Sequence, residues 1–314
     1  LTRFELLVAF MIFELWKTKF MQIPWSATRL VAGVAVLLPL ISISSCGDAA
    51  APATEAAAEA ETPPRMEYVL VWADEFDGQG LPDSTRWSFE VGDGCPDLCG
   101  WGNNEQQYYT AAQTGNARQE DGRLIIEAHQ GAHGSREYTS ARLVTKGKGD
   151  WRYGRVEVRA KLPSGRGTWP AIWMLPTDWA YGGWPASGEI DIMEHVGHVP
   201  DTIYGTVHTE AFNHLRGTQR GNQVAVPDSE SEFYVYAIEW SEEKIDFFIE
   251  NWRYHRFEKT GSGHEVWPFN KRFYLLLNLA VGGNWGGAQG IDSDIWPQRM
   301  EVDYVRVYQE MPAQ

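Results

Sequence analysis

Between Gly154 and Leu162 the chain alternates: Val156, Val158, Ala160 and Leu162 are apolar, while Glu157, Arg159 and Lys161 are charged. Successive side chains of a strand point to opposite faces, so this stretch buries one face and wets the other as β-structure. A related pattern returns at Val302, Tyr304, Val305 and Val307, and strand-like runs recur over residues 68–76, 124–129, 139–145, 169–175, 203–208 and 272–281. Residues 233–240 and 245–251, joined by Ser241-Glu242-Glu243-Lys244, read as a hairpin. No amphipathic helix longer than two turns interrupts them, and no repeat of roughly 20 to 50 residues points to a propeller or solenoid. The expectation is one large all-β sandwich or barrel from Met66 onward.

Ahead of Met66 the composition changes. Residues 30–43 (LVAGVAVLLPLISI) form an apolar run after Arg29, too short to span a bilayer comfortably, and read as a secretory signal peptide. The run ends in Ile43-Ser44-Ser45-Cys46, which resembles a bacterial lipobox, where the cysteine is lipidated and becomes the mature N-terminus. The competing reading is a cysteine that merely lies near a signal peptidase site. Residues 1–20 precede Met21, a better initiator for such a peptide, so an overextended reading frame starting at Met21 is expected. Residues 47–65 are Ala, Pro, Glu and Thr with nothing to bury, a flexible tether. The layout expected is signal peptide and lipobox over 1–46, tether over 47–65 and a folded domain over 66–314. That describes an exported bacterial lipoprotein at the outer membrane or cell surface, with the periplasmic face as the alternative.

Charge narrows the partners. The chain carries 27 Lys+Arg against 42 Asp+Glu, a formal −15, and without residues 1–45 the balance is 23 against 40, or −17. No basic stripe offsets it, so nucleic acid is excluded as a partner and a neutral one is favoured. Cys95 and Cys99 lie in CPDLC, in a segment crowded with Gly, Pro and Asp. An oxidising compartment favours a small-loop disulfide there, and the alternative metal half-site has no matching Cys or His spacing elsewhere. Neither G-x-S-x-G nor G-x-G-x-x-G occurs, which removes the common serine hydrolases and dinucleotide enzymes.

The chemistry is concentrated in Ser187-Gly188-Glu189-Ile190-Asp191-Ile192-Met193-Glu194-His195-Val196-Gly197. On a strand, Glu189 and Asp191 share one face and Ile190 and Ile192 the other. Glu194 would fall on the wrong face unless a β-bulge around Met193 restores it. Three carboxyls would then converge, and neighbouring negative charges keep at least one of them protonated. One protonated acid beside one ionised carboxylate is what glycosidic cleavage needs, and acids on one strand sit at the close spacing of a retaining mechanism. The bland alternatives are a solvated acidic face or a calcium site. They fit poorly with apolar and aromatic neighbours, among which idle charge is costly.

Glu189-Ile190-Asp191-Ile192-Met193-Glu194 resembles the bulged E-x-D-x-x-E signature of glycoside hydrolase family 16, as in laminarinases. The likeness extends over Trp72 to Phe76, Trp101-Gly102-Asn103-Asn104-Glu105, Gly154 to Lys161, Trp169 to Met174, Tyr204 to His208 and Asp303 to Tyr308. It implies a β-jelly-roll sandwich of two curved antiparallel sheets whose concave face is the substrate cleft. It also implies Glu189 as nucleophile, Glu194 as general acid/base and Asp191 as their partner, with His208 facing the catalytic strand. The activity implied is a retaining endo-1,3-β-glucanase acting on laminarin-type glucan, with mixed-linkage β-1,3/1,4-glucan as a secondary substrate. The alternatives are an agarase- or carrageenase-type enzyme, a transglycosylating relative and a non-catalytic glycan-binding module.

Tryptophan is in excess, with 15 against 13 Tyr and 13 Phe. Trp169 and Trp173 are four apart, on one strand face and roughly 13 Å from each other, suited to stacking successive sugar rings. Trp285, in a Gly-rich context with Trp101, Trp179 and Trp184, extends the platform, and Asn103 and Arg142 are candidates for hydroxyl contacts. Catalysis needs no cofactor. The resemblance implies a structural calcium held by Glu75, the Gly122 carbonyl and Asp303, an all-oxygen set. His195 and His198 raise zinc, but neither HExxH nor a third ligand at suitable spacing appears. A monomer is expected.

Overall fold

A computed structural model describes residues 66–312. The expected signal peptide over 1–46, with Cys46, and the expected tether over 47–65 lie outside the described residues. Two sheets face each other. The larger runs β16 (Trp252–Glu258), β15 (Lys244–Ile249), β14 (Tyr234–Trp240), β9 (Gly154–Lys161), β18 (Gln298–Pro312), β5 (Arg123–His133), β6 (Arg136–Ser140), β3 (Gln107–Tyr109), with β1 (Met66–Asp74) also on β18 and β4 (Ala117–Glu120) also on β5. The smaller runs β13 (Arg220–Ala225), β12 (Thr202–His208), β11 (Glu189–Glu194), β10 (Thr168–Pro176), β17 (Phe273–Val281), β7 (Arg142–Val144), β2 (Ser88–Phe89), with β8 (Asp150–Trp151) also on β17. Every named pairing is antiparallel except β3 with β6. The all-β jelly-roll expectation holds.

Alternation sets the layers. On β9 Val156, Val158 and Ala160 are buried while Arg155, Glu157, Arg159 and Lys161 are not, and their partners Val305 and Val307 on β18 continue the apolar layer. From the smaller sheet Ile172, Met174, Ile190, Val207, Leu275, Leu277 and Leu279 meet that layer in one core. The 233–251 hairpin forms, with Trp240 opposite Ile245. One expected run divides: residues 139–145 change sheets at Ala141, where β6 of the larger sheet gives way to β7 of the smaller. Such a corner is how one chain edges two packed sheets. Cys95 and Cys99 are disulfide-bonded.

Candidate active site

The face of the smaller sheet turned away from the core carries the acids. Gly188, at φ +89°, leads the chain into β11, where a Cβ would lie 2.8 Å from Pro268 Cγ and 3.0 Å from Phe269. Only glycine enters along that wall. Ile190 and Met193 go to the core, while Glu189 and Asp191 point outward. Against β12, Asp191 pairs with Thr206 and Glu194 with Tyr204, so three steps on β11 match two on β12. Against β10, Ile192 is skipped between the Asp191–Trp173 and Met193–Ile172 pairs. This bulge at Ile192–Met193 returns Glu194 to the outward face. A single register row then crosses the sheet: Arg142, Asn278, Ala171, Glu194, Tyr204 and Gln223.

Each acid has a defined partner. His208 lies opposite Glu189 in register, with Nε2 3.3 Å from Asp191 Oδ2 and 3.7 Å from Glu189 Oε1. Trp184 Nε1 donates to Glu189 Oε2 at 3.1 Å, and Trp169 Nε1 donates to Glu194 Oε1 at 3.1 Å. Among the described residues no Lys or Arg pairs with any of the three. Burial first, and the Asp191 carboxyl second, push both Glu189 and Glu194 up to about 8, with His208 and the two indole donors pulling the other way. Burial also raises Asp191 well above the usual carboxylate range. Raised proton affinity among neighbouring carboxyls is the arrangement that lets one group keep a proton beside an ionised one.

The expected aromatic residues gather on this face, with Trp169 and Trp173 half-buried and each engaged by a neighbour. Trp173 donates to Asn278 Oδ1 at 2.7 Å and one side of its ring is covered by the Arg142 guanidinium, 4.7 Å from the centroid. Arg142 also lies 4.6 Å from the ring centre of Trp101, and its Nε is 2.9 Å from Glu90. This Trp101–Arg142–Trp173 stack is a rigid wall rather than a row of free rings. Trp285 stands edge-on to Trp169 at 5.6 Å and to Tyr204 at 4.8 Å. Asn103 abuts the same corner through its carbonyl, which accepts from Asn284 N, and a Cβ on Gly283 would touch Asn103 O, Trp169 and Glu105 within 3.4 Å.

Two residues were missed from sequence and a third has a role not foreseen there. Trp184 reads from sequence as a loop indole extending the sugar platform, and in the structure it donates to Glu189. Asn278 is the one polar residue in the run Phe273-Tyr274-Leu275-Leu276-Leu277-Asn278-Leu279-Ala280-Val281, and that lone polar side chain was an available signal. His214 lies 5.2 Å from His208 and 5.0 Å from Trp184, ring to ring, at the cleft rim.

Metal binding divides into three cases. Among the described residues, one group of three side chains, Glu189, Asp191 and His208, has ligand atoms within 4.8 Å of one another, and it is the acid cluster itself. His195 is buried, with Nδ1 3.0 Å from Thr202 O and Nε2 3.1 Å from Glu230, so it braces the chain after β11 instead of meeting a metal. For calcium, Glu75 follows β1, Asp303 lies on β18 and Gly122 sits in the β4–β5 turn, at the end of β1 where β5 gives way to it along β18. As placed they do not fit an ion: Arg306 binds Glu75 twice at 2.8 Å, and Arg159 binds Asp303 at 2.7 Å.

A jelly roll whose open face carries a bulged, proton-sharing carboxyl trio between indole donors defines a glycan-cleaving hydrolase. The model of glycosyl hydrolases family 16 matches residues 104–306, and the chain belongs to that family. It is 55% identical over 248 residues to a β-glucanase of Rhodothermus marinus, covering 77% of this chain and 85% of that one. The structure is similar to that of the laminarinase from Rhodothermus marinus, with a TM-score of 0.75 and 53% identity over 78% of this chain and 99% of that chain. It is also similar to a non-specific endo-β-1,3(4)-glucanase holding 1,3-β-D-cellobiosyl-glucose at its active site, with a TM-score of 0.73 and 44% identity over 79% and 100% of the two chains.

Proposed function

We propose that the domain is a retaining endo-β-1,3-glucanase acting on laminarin-type glucan, with mixed-linkage β-1,3/1,4-glucan as a second substrate. The observation that carries this reading is the bulged β11, which sets Glu189, Asp191 and Glu194 on one open face with no Lys or Arg neutralising them. The Glu189 carboxylate attacks the anomeric carbon while Glu194 gives its proton to the departing glycosidic oxygen. The carbon–oxygen bond to the leaving sugar breaks and an ester to Glu189 forms. Glu194, now ionised, takes a proton from water, whose oxygen attacks the same carbon and frees Glu189. His208 sits beside the nucleophile and favours its ionised form before the attack and again as the ester breaks, with Asp191 as the neighbouring hydrogen-bonding carboxyl. The net negative charge favours a neutral polymer over sulfated galactans.

The test is reducing-sugar release from laminarin, lichenan, agarose and κ-carrageenan by the protein and its Glu189→Gln variant. Release from laminarin by wild type alone supports the reading. Preferential release from agarose or carrageenan keeps the mechanism and removes the substrate, and binding without release anywhere makes the domain a glycan-binding module.

Three further expectations belong to the same proposal. Export with a lipid on Cys46 would hold a monomeric enzyme at the membrane surface, tested by whether Cys46→Ser releases the protein from the membrane fraction. Calcium is carried only as a stability proposal, because an ion must displace Arg306 from Glu75 and Arg159 from Asp303. An equal Tm in calcium and in chelator removes it. Sedimentation of the purified protein checks the monomer.

A further inference from the structure

Among the described residues, Glu105 is the one buried carboxyl beside the cleft that the proposed mechanism does not use. It sits on an isolated bridge to Gly282, 6% exposed, behind the corner where Asn103 and Trp169 meet. Three side chains donate to it: Gln107 Nε2 at 2.6 Å and the Tyr109 hydroxyl at 3.3 Å, both to Oε2, and Asn103 Nδ2 at 3.4 Å to Oε1. Behind Tyr109 the donors line up in one direction. Trp173 N–H donates to Asn278 Oδ1 at 2.7 Å, Asn278 Nδ2 donates to the Tyr109 oxygen at 3.1 Å, and Tyr109 donates to Glu105. Each link polarises the next, and an acceptor-only group at the end sets the direction of the whole chain. Gln107 cannot turn to oppose it, because its Oε1 is held by Val281 N at 2.8 Å.

We infer that Glu105 is a positioning residue of the glycan-binding wall: its carboxylate fixes the amide orientation of Asn103 and anchors the donor relay that holds Trp173. The inference rests on the glucanase reading. Asn103 donates to one oxygen of Glu105 and the relay from Trp173 ends on the other, so one carboxylate serves both. A carboxylate accepts on both oxygens, so Asn103 must turn its NH2 toward Glu105 and keep its carbonyl oxygen for a sugar hydroxyl. An amide in place of Glu105 puts an NH2 against Asn103 or against Gln107 and Tyr109, and in the first case Asn103 flips and presents a donor where it presented an acceptor. Burial, the largest effect, leaves the Glu105 pKa raised, while Gln107, the Arg142 charge, Asn103 and Tyr109 each favour its ionised form. A carboxyl that only filled space would not need so many donors turned on it.

The experiment compares wild type, Glu105→Gln, Asn103→Ala and the double variant on laminari-oligosaccharides, reading KM, kcat and Tm. Glu105→Gln is expected to raise KM about tenfold with kcat held within about threefold, the scale of one or two lost hydrogen bonds to a bound sugar. On top of Asn103→Ala the same change is expected to add little, because both act on one contact. A lowered Tm with unchanged KM, a fall confined to kcat, or effects that multiply in the double variant overturns the inference. Where Glu105→Gln does not fold, Tyr109→Phe cuts the relay at one hydroxyl. It is expected to raise KM about threefold, and an unchanged KM overturns the inference equally. A wild type that binds these oligosaccharides without cleaving them ends the enzyme reading alone, and the same comparisons are then read in Kd.

Discussion

Carboxyls with little exposure on the two sheets of this domain behave in opposite ways. Asp191 is 3% exposed, Asp246 1% and Glu301 2%. Asp246, on β15 of the larger sheet, is clasped by Arg256, Lys244 and Arg253. Burial alone would raise its pKa, but hydrogen bonds from Arg256 and Lys244 outweigh that and lower it. Glu301, on β18, is treated the same way by Lys161, Arg299 and Arg123. Asp191 and its neighbours on β11 receive indoles and one histidine instead, and all three are raised. Low exposure alone does not decide what a carboxyl does here; the depth of desolvation around it and the presence of a fixed cation decide it together. The larger sheet uses its acids to hold strands together, and the smaller sheet keeps its acids unneutralised for chemistry.

The comparison breaks most visibly at the catalytic strand. Glu189→Gln or Glu194→Gln is expected to reduce laminarin hydrolysis about 10⁴-fold while the fold persists, measured as kcat with circular dichroism as control. Asp246→Asn and Glu301→Gln are expected to leave kcat within about twofold and to lower stability by about 2 kcal/mol at pH 7, because clustered half-exposed cations lose their acceptor. Equal losses of activity at the two kinds of site would erase the distinction.

Sequence carried much of the fold and the trio, and the reason is periodicity. The alternation on β9 assigns each side chain to core or solvent without knowledge of its neighbours. The five-residue step from Glu189 to Glu194 likewise required a bulge, and the register places one at Ile192–Met193. Partnership was not legible, because it depends on strands distant in the chain. Arg142 reads as a hydroxyl-binding candidate, yet it is packed between Trp101 and Trp173 and paired with Glu90. Trp169 reads as a stacking ring, and its N–H is spent on Glu194. The sheet change at Ala141 was hidden because residues 139–145 look like one continuous strand when only their composition is considered.

A third test uses pH. In the folded chain Glu194 holds its proton to about 8, against an ordinary 4.5. Between those values the folded state binds more protons than the unfolded one, so this group makes stability fall as pH rises. Glu194→Gln removes that slope. The variant is expected to be more stable than wild type by about 1–2 kcal/mol near pH 8 and no different near pH 4, measured by denaturant unfolding. The clasped acids carry the opposite sign: their lowered pKa means stability present at neutral pH and lost in acid. The Glu301→Gln deficit should therefore shrink as pH falls below the ordinary 4.5 and close once the lowered folded pKa is passed.

The smallest expected effect lies where a cation is present but burial is not. Glu75 and Arg306 form a two-pronged pair at 2.8 Å, as good in geometry as the clasp on Asp246, yet their side chains are 41% and 34% exposed. The hydrogen bond from Arg306 lowers the Glu75 pKa. Water screens such a pair and solvates either partner once it is freed, so Glu75→Gln is expected to cost less than about 1 kcal/mol at any pH. A loss as large as that of Asp246→Asn would mean that pairing geometry, not burial around the pair, sets the value of these contacts. It would also mean that Arg306 is bound too firmly for an ion to displace. A loss near zero, together with a Tm that rises on adding calcium, would instead make the arginine a placeholder at the end of β1.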